Sequence, residues 1–161
     1  MDKREFTALI SAYEHAYDAL AEKTSTLSTA QLRYIPPISD AWSINDHLVH
    51  LLDADCNAVL RIRGAVAEPG MKVPVWNQEA WQASNNYAQS DGIFCLDLAV
   101  SLRKFLAESL RTLSDAAREG ARVEHPERGV LSLYDVLSIF TRHADFHLKY
   151  VDRNLEAYAK R

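Results

Sequence analysis

Two histidines near the C-terminal end of the chain are spaced so that both could bind one metal ion. His143 and His147 lie in the sequence Thr-Arg-His-Ala-Asp-Phe-His at positions 141–147. On a helix, residues four apart share a face with Cβ atoms roughly 6 Å apart, so the two imidazoles can direct ring nitrogens at one point. A single divalent ion would satisfy both nitrogens. The spacing therefore predicts part of a metal site.

The helix that carries these histidines has a continuous apolar stripe. The residues of this stripe are Leu133, Val136, Leu137, Phe140, Ala144, Val151, Leu155 and Tyr158. Such a stripe faces the protein core, and both histidines lie in it or at its border, so we expect them to point inward. Inward-facing histidines also commonly hydrogen-bond a carboxylate or a carbonyl. The pair alone leaves both interpretations open, and a third ligand would favour the metal.

A third ligand is expected on the second helix, which carries two more histidines. His50 lies on the more apolar arc of this helix, whereas His47 lies one turn nearer the helix start. Asp53, three residues after His50, could orient an imidazole or hold a metal-bound water, as carboxylates beside metal ligands commonly do. Each of these residues, taken alone, is more typical of a helix surface or cap. The residue types therefore indicate the helix that supplies the ligand and leave the choice of histidine open.

Four segments of the sequence have helical periodicity, and they must position these side chains. They run from about residue 3 to 23, 44 to 64, 93 to 113 and from 133 onward. Ser43 with Asp46, and Ser132 with Asp135, are start signals for the second and fourth segments. Nothing in the chain alternates as a strand does. We therefore predict an all-α protein, an antiparallel four-helix bundle that forms one domain over residues 1–161.

The connection between the second and third helices is unusually long, from about residue 68 to 92. Helical spacing of its apolar residues predicts a short helix at about 74–87. Long connections are frequently functional, and this one could line a substrate entrance. Alternatively it is a packing cover in which Trp76 and Trp81 close one end of the bundle.

Composition limits the kinds of partner. The chain of 161 residues has 25% charged residues and a net charge of −4, without a basic stripe, which argues against nucleic acid as a partner. The first five residues are polar, and no apolar run approaches the length of a membrane span, so we expect a cytoplasmic protein without membrane contact.

Cys56 and Cys95 lie on separate apolar stretches and are expected to be reduced, buried thiols.

Longer motifs resemble a known family. The segment Trp42 to Asp53, W-S-I-N-D-H-L-V-H-L-L-D, resembles the W-[ST]-x₆-H-x₂-D signature of the DinB-like superfamily of metal-binding four-helix bundles. Residues 124–133, followed by His143 and His147, are similar to the YfiT-type branch, which includes proteins assigned as metal-dependent hydrolases and bacillithiol transferases. Residues 77–81 also resemble the connecting segment of that family. The likeness covers nearly the whole chain, from about residue 34 to 158.

The resemblance implies that His50, His143 and His147 bind one divalent metal, and it implies a possible homodimer. The chain departs from the family at Phe146, where YfiT-type proteins commonly have another histidine. That position is not a ligand, so the resemblance still implies metal binding, but the pocket is expected to lack a polar group. His125 matches an H-P-E turn of the family and is expected to fix a loop.

The ligand count predicts the chemistry. Three neutral imidazoles leave an open coordination position. Zn²⁺ or Ni²⁺ accepts imidazole readily and can lower the pKa of a bound water from about 15.7 toward ~7, and the same position could bind a low-molecular-weight thiol as its thiolate. The sequence thus predicts an enzyme acting on a small molecule, either a hydrolase of a small amide or ester or a thiol S-transferase. The alternative is a non-catalytic metal-binding bundle with a structural or sensing role.

Overall fold

The computed structural model describes residues 2–161, and Met1 lies outside the described residues. The helices are α1 (Lys3–Glu14), α2 (Asp18–Thr24), α3 (Thr29–Leu32), α4 (Ile44–Ala67), α5 (Gln78–Ser84), α6 (Gly92–Arg111), α7 (Asp115–Gly120) and α8 (Leu133–Ala159), with a 3₁₀ turn at Tyr87–Gln89. The strands are β1 (Met71–Lys72), β2 (Arg122–His125) and β3 (Gly129–Ser132). Both predicted capping boxes are present, at the start of α4 and at the start of α8.

The long helices α1, α4, α6 and α8 form a four-helix bundle, as predicted. Helix α4 packs against α6 and α8, and α1 packs against the same two helices. Helices α4 and α8 run in opposite directions, but α4 and α6 run parallel, because Asn45 meets Gly92 near both helix starts and Asp55 meets Arg103 further along. The antiparallel arrangement predicted for the bundle is therefore wrong for α4 and α6. A parallel pair of helices needs a long crossover connection that returns along the bundle. This return explains the length of the segment between α4 and α6.

A buried ion pair lies at the centre of the bundle. Arg103 of α6 is 0% exposed and makes two hydrogen bonds to the Asp55 carboxylate, at 2.8 and 3.0 Å. Its guanidinium also donates to the carbonyl oxygens of Tyr13 and Phe140, at 3.1 and 3.0 Å. Because α1 ends at Glu14, the Tyr13 carbonyl keeps only a long backbone hydrogen bond, from the Ala16 N–H at 3.5 Å, and can also accept from Arg103. The prediction of one continuous first helix is therefore wrong, and the break supplies an acceptor for a buried charge.

A small sheet covers the end of the bundle where α4 ends and α8 begins. Strand β2 pairs antiparallel with β3 and parallel with β1. The expectation that the chain contains no strand is therefore wrong. Gly129, with φ of +71°, follows a three-residue turn, which is a common hairpin connection. Gly64 of α4 makes room for the Met71 side chain, since a Cβ there would lie 1.9 Å from the Met71 sulfur.

Within residues 2–161, no helix combines the length and apolar character that a membrane span requires. Both cysteines are free, but only Cys95 is buried, and Cys56 is exposed. The expectation of a buried thiol at Cys56 is wrong because that position lies on the outer face of α4.

Candidate metal centre

Three histidines from the antiparallel helices α4 and α8 bring ring nitrogens together. His50 Nε2 lies 3.2 Å from His143 Nε2, which lies 3.0 Å from His147 Nε2. The ligand atoms of the three residues all lie within 4.8 Å of one another. Nitrogens bound tetrahedrally to one ion at about 2.0–2.1 Å are about 3.3 Å apart. The structure thus brings together the three histidines named from the sequence, with a spacing that suits one ion.

The local sequence explains this convergence. His143 and His147 share a face of α8 because they are four residues apart. Further along α8, the buried Asn154 donates a hydrogen bond to the Trp42 carbonyl at 2.8 Å, directly before the start of α4. This bond helps to fix how α8 lies against the first turns of α4. His50 is thereby held opposite the other two imidazoles.

A fourth histidine, His47, packs directly behind His147. The Nδ1 atoms of His47 and His147 lie 3.2 Å apart, and His47 is only 5% exposed. Because His147 directs its Nε2 at the cluster, its Nδ1 lies on the outer side of the ring. One of these neutral imidazoles donates and the other accepts. His47 therefore lies outside the three-nitrogen cluster but contacts one of its members.

The environment keeps all four imidazoles neutral near pH 7, because burial penalises the charged form. Burial is the main cause that lowers the pKa of His47 and of His50 to about 3, with neighbouring charges adding to the effect. Burial likewise lowers the pKa of His143 to about 4. It holds the pKa of His147 far below the usual range, with the neighbouring histidines contributing next. Neutral imidazole is the form that binds a metal.

The long connection contributes an aromatic wall to the cluster. Trp76 stacks on the His50 imidazole, with ring centroids 5.2 Å apart and 14° between the planes. Trp81 packs edge-to-face against Trp76. Trp42, which lies just before α4 and not in the connection, packs edge-to-face against His50. The short helix expected in this connection is present as α5, but it is shorter than predicted. The connection therefore borders the cluster, and its tryptophans are packing partners of a candidate ligand.

Asp53 has a partner other than the predicted one. Its carboxylate accepts a hydrogen bond from the Tyr87 hydroxyl, and no hydrogen bond in the described part of the chain joins it to an imidazole. The Tyr87 carbonyl in turn accepts from the Asn45 side chain at 2.8 Å. Asp53 thus ties the connection to α4. A role in holding a metal-bound water stays a prediction without a direct contact to support it.

Two cavities adjoin the cluster. The larger measures about 690 Å³ and is lined by His47, His143 and His147 together with residues of α5. The smaller measures about 320 Å³ and reaches His50 and His143. Phe146 is exposed and lines both cavities. The side chain at this position therefore presents an apolar ring to both cavities.

Two residues beside the cluster were not expected from the sequence. Tyr150 stacks on His47, with centroids 5.1 Å apart and 13° between the planes, and Arg153 lines the larger cavity. Tyr150 lies three residues after His147 on α8 and so neighbours it on the helix surface, whereas Arg153 lies seven residues after Phe146 and shares the face of that residue. His125, expected to fix a loop, accepts the backbone N–H of Glu127 at 3.2 Å.

Comparisons with known proteins show the family of this chain and agree with the fold. The sequence profile of the DinB superfamily matches residues 12–151, which confirms the resemblance. A protein of Oceanobacillus iheyensis named "putative metal-dependent hydrolase" is 27% identical over 113 residues, 70% of this chain and 64% of that protein. A Bacillus licheniformis protein with the same description is 22% identical over 150 residues, 93% of this chain and 85% of that protein. The match thus spans just under two thirds of the O. iheyensis protein.

A solved structure shares the whole fold. The structure of YfiT from Bacillus subtilis, described as "a probable metal-dependent hydrolase with an unusual four-helix bundle topology", aligns with a TM-score of 0.87 and 19% identity. The alignment covers 99% of this chain and 90% of that chain. It confirms the predicted bundle.

Proposed function

This chain belongs to the DinB superfamily, and we propose that it is a metal-dependent enzyme whose divalent ion is held by His50, His143 and His147. The convergence of their Nε2 atoms, with neighbours 3.0 and 3.2 Å apart, is the observation that carries the proposal. A donor set made only of neutral imidazoles suits Zn²⁺ or Ni²⁺. Three protein ligands leave a position open, which is typical of reactive sites and not of closed structural ones.

Hydrolysis of a small amide or ester is the reaction that we favour, because the relatives are named as metal-dependent hydrolases. The ion would supply Lewis acidity, which makes a water or a thiol nucleophilic at neutral pH. The residues of the chain shape the surroundings: Trp42 and Trp76 pack on His50 and exclude bulk water from that side. Transfer of a low-molecular-weight thiol would use the same open position and is the alternative reaction.

His47 is a positioning residue in this proposal. When His147 offers its Nε2 lone pair to an ion, its proton resides on Nδ1, where His47 Nδ1 is the acceptor 3.2 Å away. Hydrogen bonds to the outer nitrogen of a ligand histidine fix its tautomer and ring orientation. His47 therefore selects the form of His147 that binds.

The substrate is a small molecule that enters through the larger cavity. A volume of about 690 Å³ lies within the range of small-molecule sites. Residues of α5 line this cavity, so the long connection contributes to substrate choice. The cytoplasmic location and the homodimer expected from the sequence also remain proposals.

Metal analysis of purified protein tests the ligand set. Wild-type protein should hold one divalent ion per chain, and His143→Ala should lose most of it. His15→Ala is the matched control, because His15 is exposed and pairs with Asp18. His47→Ala cannot serve as a neutral control, since His47 contacts His147. Unchanged metal content in His143→Ala would refute the site.

An activity screen then separates the reactions. Ester and amide substrates are tested with and without an added thiol, before chelation, after chelation and after metal is restored. Chelation should abolish turnover and restored metal should recover it, whereas Cys56→Ala and Cys95→Ala should stay active. A rate that requires thiol favours transfer, and a thiol-independent rate favours hydrolysis. Bound metal with no turnover in either screen would assign the bundle a structural or sensing role.

A further inference from the structure

The smaller cavity is lined by three arginines and by no acidic residue. The arginines are Arg61 of α4, Arg128 of the turn between β2 and β3, and Arg142 of α8. The cavity measures about 320 Å³ and also touches His50 and His143. Three separate elements thus bring positive charge to one side of the candidate metal centre.

This positive charge is not balanced by the protein. None of the three arginines forms an ion pair within residues 2–161, although the chain as a whole carries a net charge of −4. Elsewhere in the fold, Arg103 pairs with Asp55. Burial lowers the pKa of Arg61, and the charge of Arg128 lowers it further. Several positive charges in a partly enclosed space raise the local concentration of anions.

Arg61 is held in place, so its remaining donors have a fixed direction. One Nη donates to the Pro74 carbonyl at 3.0 Å, and the guanidinium lies 5.9 Å from the centroid of the Phe140 ring. The Nε of Arg61 is buried and has no hydrogen-bond partner among the described residues. Because Nε is enclosed by the protein, the donors that Arg61 can offer to an acceptor in the cavity are those of its Nη atoms.

We propose that this cavity binds an oxyanionic group of the substrate, a carboxylate or a phosphate. Guanidinium groups recognise such groups through parallel hydrogen bonds to two oxygens. The inference rests on the proposed function and names its substrate class: a small ester, amide or thiol adduct that carries an anionic group near the reacting atom. Gln78, His143 and Phe146 line both cavities. A molecule anchored at the arginines therefore passes the cluster and extends into the larger cavity.

Anion titrations test the proposal. Inorganic phosphate and succinate are titrated against chloride at constant ionic strength, into metal-loaded and into chelated protein, with isothermal calorimetry as the measurement. We expect saturable binding in both forms. Arg128→Gln and Arg142→Gln should each weaken it about tenfold, which corresponds to the loss of one hydrogen bond to a charged group. The anion that binds more tightly identifies the group as a carboxylate or a phosphate.

Arg63→Gln is the matched control. Arg63 is exposed on α4 and does not line the cavity. Its replacement by Gln removes the same charge as the other two substitutions but outside the cavity, so anion binding should change less than about twofold. Equal weakening in Arg63→Gln and Arg128→Gln, or no saturable binding by the wild type, would overturn the proposal. The titration into chelated protein measures anion binding without any metal. Failure of the metal centre is therefore seen in the metal analysis and failure of the anion site in the titration.

Discussion

The contact between His47 and His147 gives a prediction at the scale of single residues. Loss of the group that hydrogen-bonds a ligand histidine typically lowers metal affinity about 10- to 100-fold. His47→Phe keeps a flat ring against Tyr150 but removes the acceptor for His147 Nδ1–H. We therefore expect metal affinity to fall about tenfold, as measured by competition with a chelator of known affinity. Wild-type affinity in His47→Phe would show that the contact only fills space, and His15→Gln serves as the control.

Buried neutral histidines also make the stability of the metal-free protein depend on pH. An unfolded chain protonates its histidines near their ordinary pKa of about 6.5, whereas the folded protein protonates His47 and His50 only near a pKa of about 3. Between these values the unfolded state binds more protons, so the free energy of unfolding decreases as the pH falls. Each such histidine contributes up to about 1.4 kcal/mol per pH unit.

Urea unfolding of chelated protein at about pH 7 and about pH 5 measures this dependence. His47→Phe has one fewer buried imidazole, so its free energy of unfolding should fall less steeply between the two pH values. His15→Gln is the control, because His15 is exposed and lies outside the histidine cluster. Identical slopes for the wild type and His47→Phe would contradict the prediction.

At the scale of the elements, Arg103 joins all four bundle helices through one guanidinium. It contacts Asp55 of α4 and carbonyls of α1 and α8. Arg103→Met leaves the Asp55 carboxylate buried without a partner, which typically costs about 3–5 kcal/mol. We expect a loss of that size in the free energy of unfolding, as measured with urea. Arg103→Met combined with Asp55→Leu should recover much of it, because no unpaired charge remains.

The elements also show how far the sequence could lead. Helices α4 and α8 were predictable because their caps and apolar stripes are local signals, and the spacing of His143 and His147 follows from helix geometry. The hairpin of β2 and β3 was missed because its strands have only four residues each. The break after α1 lies beside the Tyr13 carbonyl, which accepts from Arg103, 90 residues away in the sequence, and no local pattern marks this contact. The arginines of the smaller cavity come from three elements, and no local pattern connects them.

At the scale of the whole molecule, helix direction explains why the long connection meets the candidate site. The connection leaves the end of α4, where β1 pairs with β2. It must return to the start of α6, where Asn45 contacts Gly92. The return path crosses the cluster, so Trp76 reaches His50 and α5 lines the larger cavity. Topology, and not local sequence, therefore assigns this segment to the site.

The positions of Trp76 and Trp81 in this connection give a prediction about metal content and turnover. Trp76 stacks on His50 but contributes no ligand atom, and Trp81 contacts Trp76 and is more exposed. Trp76→Ala should therefore keep one ion per chain and change kcat/KM, with a smaller change in Trp81→Ala. Metal content, turnover and mass by light scattering are measured on the same samples, since exposed aromatic residues could equally form a dimer contact. Dissociation of a dimer with unaltered turnover per chain would assign the segment to that interface, because loss of Trp76 from the wall of the smaller cavity should change turnover if substrate binds there.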